Sequence, residues 1–146
     1  MTYKDFKKHF QDRAIKEYGF KRVGSRIYYT NEEVLIVFDI VKSAYSNSLS
    51  RFALGVNPFE LSEKWKRIDP IIYEGSHFGI DIDDERYVDL DKIDDYEEYD
   101  KIFDNFFKKT FPKLTTVDGI KEMIKADDLY AWDHIREFWN LKQNTK

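Results

Sequence analysis

Asp81 and Asp83 are the residues in this sequence whose types and spacing come nearest to a catalytic pair. Alternate side chains on one face of a strand lie about 7 Å apart, and two carboxylates so placed can hold Mg²⁺ for phosphoryl chemistry. The competing reading is an edge strand whose outward charges discourage pairing with another molecule. No nearby Lys or His completes a hydrolytic site, which favours the edge strand. A calcium loop starting at Asp81 fails on spacing. Glu85 stands at its fifth position, but Arg86 replaces the required glycine and Lys92 the bidentate glutamate. His77 follows Ser76, yet neighbours in a turn cannot set an imidazole against the hydroxyl with a third group to orient it. His134 lies one helical turn from Glu137 and adjoins Asp133, which suits a surface ion pair worth a few tenths of a kcal/mol. There is no second histidine at ligand spacing, there are no cysteines, and the six glycines are scattered. No metal site, cofactor or nucleophile is therefore expected, and the chain reads as a protein without catalytic activity.

The carboxylates make sense together rather than singly. Between Asp81 and Asp104 there are twelve acids against Arg86, Lys92 and Lys101, a local balance of −9 in a chain whose total is −4. Residues 1–26 hold the opposite excess, with eight bases against Asp5, Asp12 and Glu17. Charge this segregated sets up an oriented field that steers association. The acidic tract can be a solvated loop and helix start, a docking face for a basic protein, or a loose cation binder. Tyr87, Tyr96 and Tyr99 are interleaved with the acids, and tyrosines beside carboxylates suit an interface. Asp83, Asp84, Glu85, Asp89, Asp91, Asp95 and Glu98 are the expected charge donors, with Tyr87 and Tyr96 as contact anchors. Nucleic acid is not an expected partner. The pI is near 5.4, and the aromatics of the basic N-terminal segment fall on its core-facing stripe, away from any base.

These residues must be positioned by a modest set of elements. With 146 residues, 42% hydrophobic and 17% aromatic, the chain suits a single domain with one substantial core. Tyr3, Phe6, Phe10, Ala14 and Tyr18 recur at helical spacing, with Thr2 as N-cap and Gly19 as the left-handed terminator. The bases are expected on the opposite, wet face. A meander follows: Phe20 to Val23, Arg26 to Thr30 across the Gly24-Ser25 turn, Glu33 to Lys42 as a strand buried on both faces, and Arg51 to Val56. In that last strand Ala53 and Gly55 make one face flat, where the first helix is expected to pack, and Asn57-Pro58 is expected to stop it. A short helix over Glu60 to Arg67, strand at Ile71 to Tyr73 and Phe78 to Ile82, and a helix from Tyr96 to Phe111 ended by Pro112 come next. Asp94 or Asp95 would cap that helix. Helices over Val117 to Lys125 and Asp128 to Lys142 follow, with residues 142–146 fraying. The order predicts an α+β domain spanning residues 1–146, an antiparallel meander sheet with its N-terminal and C-terminal helices packed mainly on one face. The longest apolar run, Val34 to Phe38, is far short of the roughly 20 residues a membrane span needs. MTYKDFKKHF lacks a signal-peptide core, so a cytoplasmic protein without membrane contact is expected.

Tyr18-Gly19-Phe20-Lys21, the pair Tyr28-Tyr29, Val41-Lys42-Ser43 and Phe52-Ala53-Leu54-Gly55-Val56 together resemble the uncharacterised bacterial family called domain of unknown function 4304. The resemblance covers roughly residues 5–60. Family members tend to carry Gln where Val41 stands and Asn where Ala53 stands, so any site built on those amides is absent here. The resemblance implies a fold and transfers no chemistry. By analogy, small bacterial domains of this kind often look like immunity proteins of toxin systems. The function expected is thus a protein-binding domain, an immunity-type inhibitor covering a basic toxin cleft with its acidic face. The alternatives are a domain binding a small ligand or divalent metal, and a carboxylate-dependent metal hydrolase using Asp81, Asp83 and His77.

Overall fold

The computed structural model of the chain describes residues 1–43, 46, 48–60, 76–79, 88–126, 129, 131 and 133–141, without the side chains of 76–79 and 134. Helix α1 spans Tyr3–Tyr18. Thr2 caps it by accepting the Asp5 N–H, and Gly19 ends it at φ 77°, a left-handed conformation that only glycine adopts without strain. The Phe20 N–H then returns to the Ala14 carbonyl, which turns the Phe20 ring into the core.

Strands β1 (Lys21–Val23), β2 (Arg26–Thr30), β3 (Val34–Lys42), β4 (Leu49–Pro58), β5 (Ser76–Gly79) and β6 (Val88–Asp89) form one antiparallel sheet. The first five lie in chain order, and β6 pairs with β4 at Leu49 and Ser50, beyond the end of β5 on the same edge. A ³⁻¹⁰ turn at Leu90–Lys92 leads to α2 (Glu97–Lys109), α3 (Phe111–Leu114), α4 (Val117–Lys125) and α5 (Asp133–Phe138). The chain is an α+β protein whose N-terminal and C-terminal helices share one core. Ile36, Phe38 and Ile40 of β3, with Phe52, Leu54 and Val56 of β4, meet residues of α1, α2, α3, α4 and α5 in a single apolar cluster. Asn31, in the β2–β3 turn, ties the far end down: its side chain accepts from the Glu33 and Val34 amides and donates to the Thr115 carbonyl between α3 and α4.

Several boundaries differ from the sequence reading. Helix α1 lies on the bulky face of β4, where Phe6 and Phe10 sit 5.7 and 5.1 Å from Phe52, and not on the flat Ala53–Gly55 face. Large rings on both elements interlock, and the apolar area they remove from water outweighs the closer backbone approach that small residues permit. Strand β4 also runs through Asn57 and Pro58, which pair with Leu35 and Val34. Proline is tolerated there because it is the last residue of the strand. Pro112 does not end a helix but lies in the first turn of α3, a position that needs no amide hydrogen. The helix expected over Glu60 to Arg67 extends beyond the described residues, as do Ile71 to Tyr73, residues 80–82 and the frayed tail at 142–146. Asp128 to Lys142 narrows to α5 among the described residues.

Candidate functional site

The acidic tract divides into two parts with different fates. Helix α2 lies beside α1 and its contacts advance in the same sense along both: Phe6 meets Tyr99, Phe10 meets Phe103 and Tyr18 stacks on Phe107. This register brings two charge ladders together. His9 and Arg13 are four residues apart on α1, and Asp100 and Asp104 are four apart on α2, so each pair projects from one helix face. Asp100 Oδ1 accepts from His9 Nε2 at 2.7 Å and from Arg13 at 2.9 Å. Arg13 also hydrogen-bonds Asp104 and, at 2.7 Å, Glu17, while its guanidinium carbon sits 5.0 Å above the Phe103 ring. Burial disfavours the charged guanidinium, but the hydrogen bonds it donates to Asp104, Glu17 and Asp100 outweigh it and hold the Arg13 pKa above the ordinary arginine value. Arg13 is therefore a bridge between helices rather than a member of a wet basic face. Its partners belong to the tract that the sequence presents as one acidic block.

The second part of the tract stays in water. Asp89 caps the ³⁻¹⁰ turn by accepting the Asp91 amide, and its carboxylate is 4.0 Å from Lys92. The N-cap position of α2 is Tyr96, which makes no side-chain capping bond, and not Asp94 or Asp95; Asp95, one residue earlier, accepts the Glu97 amide at 2.9 Å. Asp91, Asp94, Asp95, Glu97 and Glu98 are exposed, and acids gathered at a helix start are favoured by its dipole. The Met1 amino group donates to the Leu90 carbonyl at 3.2 Å, which pins this edge to the start of α1.

Tyr96 occupies a place between the two parts. Its ring stacks on His9 with centroids 3.7 Å apart and planes 4° from parallel, and it also approaches Phe6 and Phe10. It is half-buried, so as a contact anchor it offers one side of its ring at most. Of the expected partner-binding residues, Asp91, Asp95 and Glu98 are exposed, and Asp89 and Tyr96 are partly covered. Asp83, Asp84, Glu85 and Tyr87 lie outside the described residues, as do Asp81 and the side chain of His77. Among the described residues no group of three or more His, Asp or Glu side chains is placed to hold a metal ion, and no helix is long and apolar enough to cross a membrane.

A further charged cluster escaped the sequence reading. Asp39, buried within β3, takes Lys7 of α1 at 3.3 Å and Arg26 of β2, and its Oδ1 accepts the Ile40 amide. Only the interruption of an apolar strand by one acid hinted at it.

Burial raises the phenol pKa of both Tyr96 and Tyr18 above the usual value near 10. The charges of Asp5 and Asp100 assist at Tyr96, and a hydrogen bond to Asp104 assists at Tyr18. At neutral pH both phenols are protonated in the folded and unfolded states, and the contribution is complete. As the pH rises past about 10 the unfolded chain loses these protons first, so stability falls until the folded phenols ionise as well. Urea titrations at rising pH should show this decline, and the Tyr18→Phe/Tyr96→Phe variant should flatten it. An equal slope in the variant would place the effect on other groups.

No protein-family model, curated protein or solved structure matches this chain.

Proposed function

We propose that this chain is a non-catalytic, cytoplasmic protein-binding domain, an immunity-type inhibitor whose acidic edge docks on the basic surface of a toxin domain. The observation that carries the reading is the division of the acidic tract. Asp100 and Asp104 are held by Arg13 and His9 within the fold, whereas Asp91, Asp94 and Asp95 are exposed. Asp91 and Asp94 form no ion pair among the described residues. The backbone that carries them is set by the Asp89 cap and the Asp95 hydrogen bond. Carboxylates fixed in this way need little ordering on association, and an edge of one sign speeds encounter with a basic partner. Asp89, Glu98 and the open side of Tyr96 complete the proposed contact set, and in sequence Asp83, Asp84, Glu85 and Tyr87 belong to the same acidic run.

The test uses the partner captured with the chain from its native cell. Changing Asp83, Asp84, Asp91 and Asp95 to Asn keeps the accepting oxygen at position 95 while removing four charges. The association rate at low salt should fall about tenfold or more, and its dependence on ionic strength should weaken. Unchanged rate and salt dependence, in a variant with the parent melting temperature, would rule out the acidic edge as the docking surface.

A further inference from the structure

Helix α1 and the β1–β2 hairpin flank an open groove of about 640 Å³ whose described lining contains none of the acidic-edge residues. Tyr3, Lys4, Lys7, Lys8 and Gln11 line it from the helix, and Arg22 lines it from the hairpin. Positions 4, 7, 8 and 11 fall on one stripe of α1 because they are three and four residues apart. The volume lies within the range of small-molecule sites. Its chemistry is lopsided: among the described lining residues four cations stand against Asp12, which pairs with Lys8 and Arg22.

Three of the four cations have partners among the described residues, Lys8 through Asp12 on the same helix. Gln11 is only 3% exposed; its Nε2 donates to the Ser25 carbonyl and its Oε1 accepts from Arg22, both at 3.1 Å. This fastens the hairpin to the helix and orients the guanidinium, whose other terminal nitrogen is 3.6 Å from Asp12. Lys7 is anchored from below by Asp39. The Tyr3 hydroxyl donates to the Ile40 carbonyl, fixing a ring that has Lys7 at 5.7 Å and Lys42 at 4.5 Å from its centroid. Lysine stems and this ring supply apolar walls, with the Lys7 ammonium turned to Asp39 and that of Lys8 to Asp12.

We infer that this groove binds a small organic phosphate, an apolar body of up to nucleotide size carrying a doubly charged head. A neutral occupant would cover four cations that, among the described residues, share only Asp12 and Asp39 as counter-charges, and would add none. A bare inorganic ion would leave the apolar walls and most of the volume unused. A phosphoryl group can accept from the Arg22 nitrogen that faces Asp12 and from neighbouring lysines as well.

Amide NMR spectra of the full chain, titrated with naphthyl phosphate, test the inference. Saturable shifts are expected at Lys4–Asp12 and Arg22–Ser25, with half-saturation at about 1 mM or below. Arg22→Ala, at a side chain 43% exposed, should weaken binding about tenfold by removing a charge-assisted hydrogen bond. Lys121→Ala, on α4, should leave binding unchanged. Naphthol and inorganic phosphate should each bind at least about tenfold more weakly than naphthyl phosphate. The inference is overturned by equal binding of either control, by no saturable shift at about 10 mM, or by an Arg22→Ala variant that binds as the parent does. An acidic peptide that shifts these amides while naphthyl phosphate does not would also overturn it, in favour of a protein partner. Each outcome is independent of the acidic edge, whose described residues lie outside the groove.

Discussion

Phe103→Ala is expected to lower the free energy of unfolding by about 3–5 kcal/mol, the usual cost of emptying a buried aromatic site. The Phe103 ring is 1% exposed. It packs between Phe10 at 5.1 Å, Phe107 at 4.5 Å and Phe38 at 6.0 Å, so it joins both long helices to the central strand. Rings on three elements cannot close around the void without moving a helix, which argues for the upper part of the range. A domain of this size has roughly 5–15 kcal/mol in total, so the variant would sit near its unfolding threshold. Urea unfolding followed by tryptophan fluorescence should show a lower midpoint at unchanged slope. A loss below about 1 kcal/mol would mean that α2 is not packed on α1 and the sheet as described.

Asp39→Ala is expected to be the second most damaging change, at about 2–4 kcal/mol. The Asp39 side chain is 7% exposed, while Lys7 and Arg26 are 19% and 24% exposed. Removing the acid leaves two largely covered cations facing each other, and it also removes the acceptor of the Ile40 amide. The triple change Asp39→Leu, Lys7→Met, Arg26→Met should recover much of the loss, because it takes away the stranded charges together with their partner. The exposed Glu97–Lys101 pair provides the contrast. Both its side chains are 76% exposed, and Glu97→Gln should cost well under about 1 kcal/mol. Equal losses from Asp39→Ala and Glu97→Gln, measured by urea titration, would refute the distinction.

The helices and the meander were legible because their signals are local. The α1 cap at Thr2, its Gly19 terminator and the stripe from Tyr3 to Tyr18 all lie within one stretch of chain, and so does the hairpin at Gly24. The face on which α1 lands was not legible, since it depends on how rings more than forty residues apart in sequence interlock (Phe6 and Phe10 on Phe52). Asn57 was misread for a related reason. Its type favours turns, but pairing with Leu35 and full burial override that preference at the cost of side-chain polar atoms left without partners.

The acidic tract posed a subtler problem, because charge counts treat all carboxylates alike. The matching four-residue spacing of His9 and Arg13 with Asp100 and Asp104 was present in the sequence. It becomes informative only once two helices are known to lie side by side. The groove stripe of Lys4, Lys7, Lys8 and Gln11 was likewise visible as a spacing, but not the hairpin that flanks it.

The ladder between α1 and α2 also bears on how the chain comes to be folded. Its partners are separated by 87 and 91 residues, so the first helix made is among the last to find its neighbour. Until residue 104 has left the ribosome, Arg13 has only Glu17 to bond, and the rings of Phe6 and Phe10 lack Tyr99 and Phe103. Long-range closure of this kind is slow. Once β4 is made, Phe52 can cover part of the α1 stripe, while the side that meets Tyr99 and Phe103 stays uncovered until α2 follows.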